Sequence, residues 1–239
     1  MHFYRRWQPV AAISFDLDDT LYDNGPAIVR AEQWMLSHLR SEYLATAMLD
    51  KPRWLELKRA VLLARPELRH DVSLARQQTI RAAMVAGGMA DQQASREAEQ
   101  VFAAFLAERS KIEVSESTHQ LLARLAERYP LVVITNGNLD LAQAGLDCYF
   151  TLVCKAGAGA RMKPAPDMFE QTRSALKLPA ERILHVGDHP ETDVLGARLH
   201  GFRAAWLNER QQPWQPWQQL QLLPDVELTA LEELAELLL

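Results

Sequence analysis

The sequence predicts an α/β protein whose parallel sheet core is interrupted by an all-helical insertion, and three observations carry that reading. Five short apolar runs, Val10–Phe15, Leu131–Thr135, Thr151–Cys154, Ile183–Val186 and Arg203–Leu207, each give way to turn or polar residues, as strands buried on both faces do. Between the later four runs lie segments of helical period or polar helix formers, an alternation that builds a parallel sheet flanked by helices. From about residue 25 to 112 the alternation stops, and the chain reads as several amphipathic helices rich in Ala, Leu, Arg, Glu and Gln. That is too much helix for one crossover. At 239 residues the chain is long enough for a core domain and a sizeable insertion, given roughly 100–200 residues per domain.

The first run ends at Asp16. Asp23-Asn24-Gly25-Pro26 reads as the turn into the insertion and Lys111–Ser117 as the return. These assign residues 1–21 and 113–239 to the core and 22–112 to the insertion, and two flexible passages so close together suggest a hinged lid. Thr118–Arg128 forms a helix before the second strand and Pro166–Leu176 one before the fourth. Thr192–His200 forms another and stops at Gly201 as a C′ glycine should. Leu228–Leu239 reads as an amphipathic helix covering apolar surface. Trp206, Trp214 and Trp217 gather around Gln211-Gln212-Pro213, either packing the C-terminal tail against the sheet or forming an aromatic ligand box.

Composition narrows the function. With 48% apolar and 24% charged residues the chain has the make-up of a packed globular protein. A net charge of −5 with scattered basic residues offers no positive stripe for a duplex, so no nucleic-acid partner is expected. No stretch approaches the ~18 apolar residues of a membrane span, and the run after Arg5-Arg6 is too short for a signal segment. The expected location is cytoplasmic, with no membrane partner, as a monomer or weak dimer. Cys148 and Cys154 lack His or Cys neighbours at zinc spacing and read as reduced structural residues rather than metal or redox groups.

Carboxylates mark the chemistry. Phe15-Asp16-Leu17-Asp18-Asp19-Thr20 places three of them where the chain leaves the first strand, the end of an open sheet at which ligands bind. The alternative is a solubilising acidic turn. The second strand ends Ile134-Thr135-Asn136-Gly137, a hydroxyl before a small turn whose N–H groups can bind an anion, although such residues are also common turn formers. Lys163, ahead of a helix in Arg161-Met162-Lys163-Pro164, either reaches the carboxylates or is solvated. The fourth strand ends Val186-Gly187-Asp188, with Asp193 following as a second acid or as helix N-terminal charge. Asp16, Asp18 and Asp188 together form the hard oxygen set that suits Mg²⁺. In the insertion, Arg69-His70-Asp71 with Arg76 is a polar cluster that either faces the site or is a solvated helix surface. His38, His119, His185, His189 and His200 read mainly as structural, with His185 a satisfied core residue and only His189 near the acids.

The order Asp-x-Asp-x-Thr, strand-end Thr, Lys-Pro, Gly-Asp-x-x-x-x-Asp resembles the haloacid dehalogenase superfamily of phosphohydrolases, and the helical insertion is similar to that superfamily's C1-type cap. The resemblance covers nearly the whole chain. It implies a Rossmann-like sheet of strand order 3-2-1-4-5 and a Mg²⁺-dependent phosphomonoesterase of small phosphorylated metabolites. Flavin mononucleotide and 5-amino-6-(5-phospho-D-ribitylamino)uracil are the expected substrates. By the resemblance Asp16 is the nucleophile that forms an aspartyl-phosphate and Asp18 the acid and base. Thr135 and Lys163 stabilise the transferring group, with Asn136 and Gly137 supplying further donors. Asp16, Asp18, Asp188 and Asp193 are the implied metal set, Asp193 acting through a metal-bound water or Lys163. Thr20, Tyr22, Asn24, His70 and Arg76 are the expected substrate contacts, the cap selecting the substrate. Superfamily dehalogenases lack the second Asp, because a halide leaves without a proton. A sugar-phosphate mutase is the alternative within the same motifs, whereas a non-catalytic binding module predicts damage to a charged motif residue, and Asp16, Asp18, Lys163 and Asp188 are all present.

Overall fold

The computed structural model describes residues 1–213 and 222–239, so Trp214 and Trp217 lie outside the described residues. Two compact units divide the chain: Met1–Asp23 with Glu113–Gly137 and Gly145–Leu239, and Asn24–Ile112 with Asn138–Ala144.

The first unit is built on a seven-stranded sheet. Its strands are β1 (His2–Phe3), β2 (Ala12–Phe15), β3 (Leu131–Thr135), β4 (Leu152–Lys155), β5 (Ile183–Gly187), β6 (Arg203–Leu207) and β7 (Val226–Leu228). The spatial order is β1-β7-β6-β5-β2-β3-β4, and β2 to β6 are joined by parallel pairing throughout. These five therefore run in the order 3-2-1-4-5. β7 adds in parallel to β6 and β1 in antiparallel to β7, an edge that the sequence pattern does not announce because β1 is only two residues long.

The middle strands β2, β3 and β5 are buried along their whole length, which is why they read as continuous apolar runs. Helices α6 (Asp167–Leu176) and α7 (Gly196–Leu199) join them in one cluster through Met168, Phe169 and Ala197 against Val132, Ile134, Ile183 and Trp206. α5 (Glu116–Ala126) is capped by Ser115, whose hydroxyl accepts the Thr118 N–H at 3.1 Å. It buries Leu121, Leu122 and Leu125 and packs with α8 (Glu233–Leu238). The helix expected over Leu228–Leu239 thus begins as β7 and reduces to α8, because pairing with β6 satisfies the backbone at Leu228.

The expected helix Thr192–His200 also differs. Pro190–Leu195 forms a π-type turn leading into α7. Its wider winding accompanies Asp193 turned inward, where it accepts the His189 N–H at 2.9 Å.

The second unit is helical, with α1 (Asn24–Glu42), α2 (Lys51–Ala64), α3 (Val72–Ala86) and α4 (Asp91–Arg109). Asn24-Gly25-Pro26, expected as a turn, is the first turn of α1, a position where proline's missing N–H costs nothing. Asp50 caps α2 through Arg53 N–H and Asp71 caps α3 through Leu74 N–H, each at 2.8 Å. Gly87 ends α3 against the backbone of Ala45, since a Cβ there would fall 1.8 Å from the Ala45 carbonyl oxygen. The interior gathers Met35, Leu39, Trp54, Ile80, Met84, Val101, Phe102 and Phe105. Residues 138–144, expected in the core, group with this unit, where the Ser110 hydroxyl accepts the Asp140 N–H and Asn138 donates to Ser73.

Phe105 is 1% exposed and carries the Arg76 guanidinium 4.0 Å above its ring. Phe105→Ala removes both packing and that cation–π contact, and chemical denaturation is expected to record a loss of about 3–5 kcal/mol.

Candidate active site

The parallel topology delivers the chemistry to one sheet edge. β2 ends at Phe15 and hands on to Asp16, β5 ends at Gly187 and hands on to Asp188, and β3 ends at Thr135. Asp16, Asp188 and Asp193 each place a carboxylate oxygen within 4.8 Å of the others.

Lys163 is the hub. Only 3% of the residue is exposed, and its ammonium donates to Asp16 Oδ1 at 2.8 Å, to the Ile134 carbonyl at 2.7 Å and pairs with Asp193 Oδ1 at 2.7 Å. The solvated-surface reading of this lysine is therefore wrong: the loop before α6 turns it inward. Burial works against its charge, but Asp16 and Asp193 outweigh burial and hold its pKa above the usual lysine value. Asn136 fixes that loop reciprocally, accepting the Lys163 N–H at 2.7 Å and donating to the Lys163 carbonyl at 3.2 Å. Its side chain is thus a brace on Lys163.

Asp193 accepts from protein donors on both oxygens, Oδ1 from Lys163 and Oδ2 from the His189 N–H. Burial works to raise its pKa, yet Lys163 and His185 hold the carboxyl well below the usual range. It is a positioning group for the ammonium. Gly187 makes room for it, since a Cβ there would fall 2.4 Å from Asp193 Cγ.

Behind Asp193 runs a buried chain absent from the sequence reading. Ser14 and His185 face each other in register across β2 and β5, with Oγ and Nδ1 2.9 Å apart, and His185 Nε2 lies 3.4 Å from Asp193 Oδ1. Burial lowers the His185 pKa and favours the neutral ring. The one available signal was polarity, a Ser and a His inside otherwise apolar strands. His189 serves the backbone, its Nδ1 accepting the Glu191 and Thr192 N–H groups. Trp206, read as tail packing or a ligand box, donates its indole N–H to the Asp188 carbonyl at 2.8 Å and so orients that loop.

Asp18 lies on a tight loop in which Leu21 N–H donates to the Leu17 carbonyl at 2.9 Å and Asp19 takes a positive φ of 59°. The Tyr22 hydroxyl donates to Asp18 Oδ1. Gly137 lets Asp18 sit there, because a Cβ at 137 would fall 2.6 Å from Asp18 Oδ2. The Thr135 hydroxyl accepts the Gly137 N–H at 3.0 Å, leaving its own proton for an anionic oxygen. Thr20 is buried, its hydroxyl has no partner among the described residues, and it lines a cavity of about 390 Å³ with Asp19, Tyr22 and Asp188.

Asn24, His70 and Arg76 belong to the helical unit. Arg76 is not a solvated helix surface: its side chain, 14% exposed, pairs with Glu32 at 3.4 Å and covers Phe105. Asp71, grouped with it in the sequence, is spent as the α3 cap. Cys148 is an exposed free thiol, and Cys154 is buried with Sγ 3.5 Å from the Thr172 hydroxyl.

The electrostatics bear on what the site could hold. Burial pushes the Asp16 carboxyl up to about 7 even though Lys163 pulls it down. Asp188 is pushed up to about 7 by burial and by the charges of Asp193, Asp16 and Asp19. Two hard oxygen donors that resist ionisation, beside one ammonium already shared, fit a divalent cation bound through oxygen.

The fold thus gathers a buried carboxylate at a strand end, an ammonium beside it and a second acid on the next loop. The model of the family described as haloacid dehalogenase-like hydrolase matches residues 10–201. The 5-amino-6-(5-phospho-D-ribitylamino)uracil phosphatase YigB of Escherichia coli is 39% identical over 238 residues, spanning 100% of both chains. The phosphoserine phosphatase of Thermus thermophilus is 34% identical over 144 residues, 58% of this chain and 56% of that protein. Among solved structures, 2-haloacid dehalogenase from Pseudomonas syringae superposes with a TM-score of 0.89 at 32% identity, covering 95% of this chain and 97% of that one. The chain belongs to the haloacid dehalogenase-like hydrolases, as an enzyme of the phosphoric monoester hydrolase class.

Two outcomes check this geometry. Gly137→Ala is expected to displace Asp18 and lower kcat on the order of 100-fold, while circular dichroism and Tm change little. Groups whose folded pKa is raised stabilise below their unfolded value and lose that contribution as pH rises through the folded one. Chelator-treated protein should therefore lose Tm between pH 3.8 and about 7 as Asp16 and Asp188 ionise. Added divalent cation should raise Tm more at pH 8 than at pH 5, and an equal rise at both would contradict the assignment.

Proposed function

We propose that the enzyme hydrolyses small phosphorylated metabolites through an aspartyl-phosphate on Asp16, with 5-amino-6-(5-phospho-D-ribitylamino)uracil and flavin mononucleotide as its substrates. The observation that carries the reading is the buried Lys163 ammonium 2.8 Å from Asp16 Oδ1. It keeps that carboxylate oriented and adds positive charge where a phosphoryl group would arrive.

In the first half-reaction an Asp16 oxygen attacks phosphorus in line, the ester P–O bond breaks, and Asp18 gives a proton to the departing alkoxide. Tyr22 holds Asp18 in place for that transfer. In the second, water attacks the phosphorus of the acyl phosphate and yields its proton to Asp18, releasing inorganic phosphate and restoring the Asp16 carboxylate. The Thr135 hydroxyl and the Asn136 N–H would receive the transferring oxygens, while Lys163, whose three N–H groups go to Asp16, Ile134 and Asp193, contributes its charge and the Gly137 N–H, expected as a further donor, is already given to the Thr135 hydroxyl. Asp16, Asp188 and the Asp18 carbonyl would hold Mg²⁺, which supplies neutralisation of the carboxylates and the phosphate dianion.

Asp18 bears on the choice between phosphatase and dehalogenase, the name of the 32%-identical solved structure. A halide needs no proton when it leaves, so an acid buttressed by Tyr22 serves an oxygen leaving group. The substrate assignment draws its support from full-length similarity to the Escherichia coli phosphatase.

A phosphate-release panel tests both levels. Release from 5-amino-6-(5-phospho-D-ribitylamino)uracil and flavin mononucleotide is expected with added Mg²⁺, to vanish with chelator and to exceed release from nucleotides and sugar phosphates. Asp16→Asn should abolish turnover with the fold intact, and substantial residual activity would refute the nucleophile. Isomeric product in place of free phosphate would point to a mutase.

A further inference from the structure

A second charged cavity lies at the other edge of the sheet. The catalytic carboxylates follow the C-terminal ends of β2 and β5, whereas Arg203 opens β6 and Asp225 immediately precedes β7. Here a cavity of about 470 Å³ is lined by Arg5, Arg6, Glu181, Arg198, Arg203 and Asp225. Four guanidinium groups against two carboxylates leave a positive surplus, in a chain whose net charge is −5.

The arginines are held in place. Asp225 is fully buried and accepts from Arg198 Nη1 at 2.8 Å, from Arg203 Nη1 at 2.9 Å and from the Ala204 N–H at 3.0 Å. Its charge is spent bracing two guanidiniums. The Tyr4 and Arg5 N–H groups donate to the Asp225 carbonyl at 3.1 and 3.3 Å, which brings Arg5 and Arg6 to the cavity. Neither of those two side chains has an ion-pair partner among the described residues.

Arg198 Nε is buried and has no hydrogen-bond partner among the described residues, and buried donors are rarely left so. Burial lowers the Arg198 pKa, Arg5 and Arg203 add like-charge pressure, and Asp225 offsets them only in part. Converging guanidiniums with free donors match the charge and geometry of phosphoryl oxygens.

We propose that this cavity is a distal binding site for a phosphoryl oxyanion of two or more negative charges, supplied as free inorganic phosphate or as a polyphosphate chain. The site needs no divalent cation and lies away from Asp16, so its ligand is bound without being hydrolysed there. Its confinement to one cavity suits a small anion rather than a duplex backbone.

Calorimetric titration of the full chain in chelator tests this, with inorganic phosphate in one arm and inorganic tripolyphosphate in the other. Without divalent cation the catalytic carboxylates repel both anions, while the arginines do not. Saturable binding of one anion per chain is expected, weakened at least tenfold by the double variant Arg5→Ala/Arg6→Ala and weakened by added salt. Arg5 and Arg6 are exposed, so that variant should keep its Tm. The tighter arm identifies the source of the anion. The proposal is overturned by absence of saturable binding in both arms, by equal affinity in the double variant, or by saturation with duplex DNA alone.

Discussion

One buried ammonium organises the catalytic end of this enzyme. Lys163 is taken out of water and shared between Asp16, Asp193 and the end of β3. Removing an ion from water costs several kcal/mol, and only well-placed partners recover it. The partners here are well placed: Asn136 fixes the lysine backbone and the Ser14–His185 pair backs Asp193. Every group in that chain is positioned by another, so the Asp16 carboxylate inherits its orientation from residues on separate segments of the chain.

The charge count at the same end fits the cation proposed there. One ammonium faces Asp16, Asp193 and Asp188, and burial leaves Asp16 and Asp188 reluctant to ionise. The nucleophile proposed at Asp16 must nevertheless be a carboxylate. A cation held through oxygen, as proposed for Asp16 and Asp188, would resolve the conflict and, with Lys163, make the site tolerant of a phosphate dianion. The Asp18 carboxyl stands apart from this balance, held by Tyr22 and admitted by the missing side chain of Gly137.

Parallel strands impose a polarity on the molecule. All β2, β3 and β5 termini deliver loops to one edge, where acids collect, while the starts of β6 and β7 bring Arg203 and Asp225 together at the other, where arginines do. A modest net negative charge conceals that separation.

Much of this was written in the residue order. Continuous apolar runs disclosed the five parallel strands; in β2, β3 and β5 burial on both faces leaves no room for polar alternation, whereas β4, expected to be buried likewise, lies at the edge of the sheet and leaves Val153 exposed. Asp16, Asp18 and Asp188 were legible because each directly follows or nearly follows such a run. Short-range pattern could not disclose β1 and β7, which exist through pairing with a distant edge, nor the inward turn of Asp193 that widens the helix expected there. It could not separate a solvated Lys163 from a buried one, or a free Arg76 from one packed on Phe105. Whether an ionic side chain is a ligand, a brace or a surface group depends on which partners the fold carries to it, and those partners lie 147 residues away for Lys163 and Asp16.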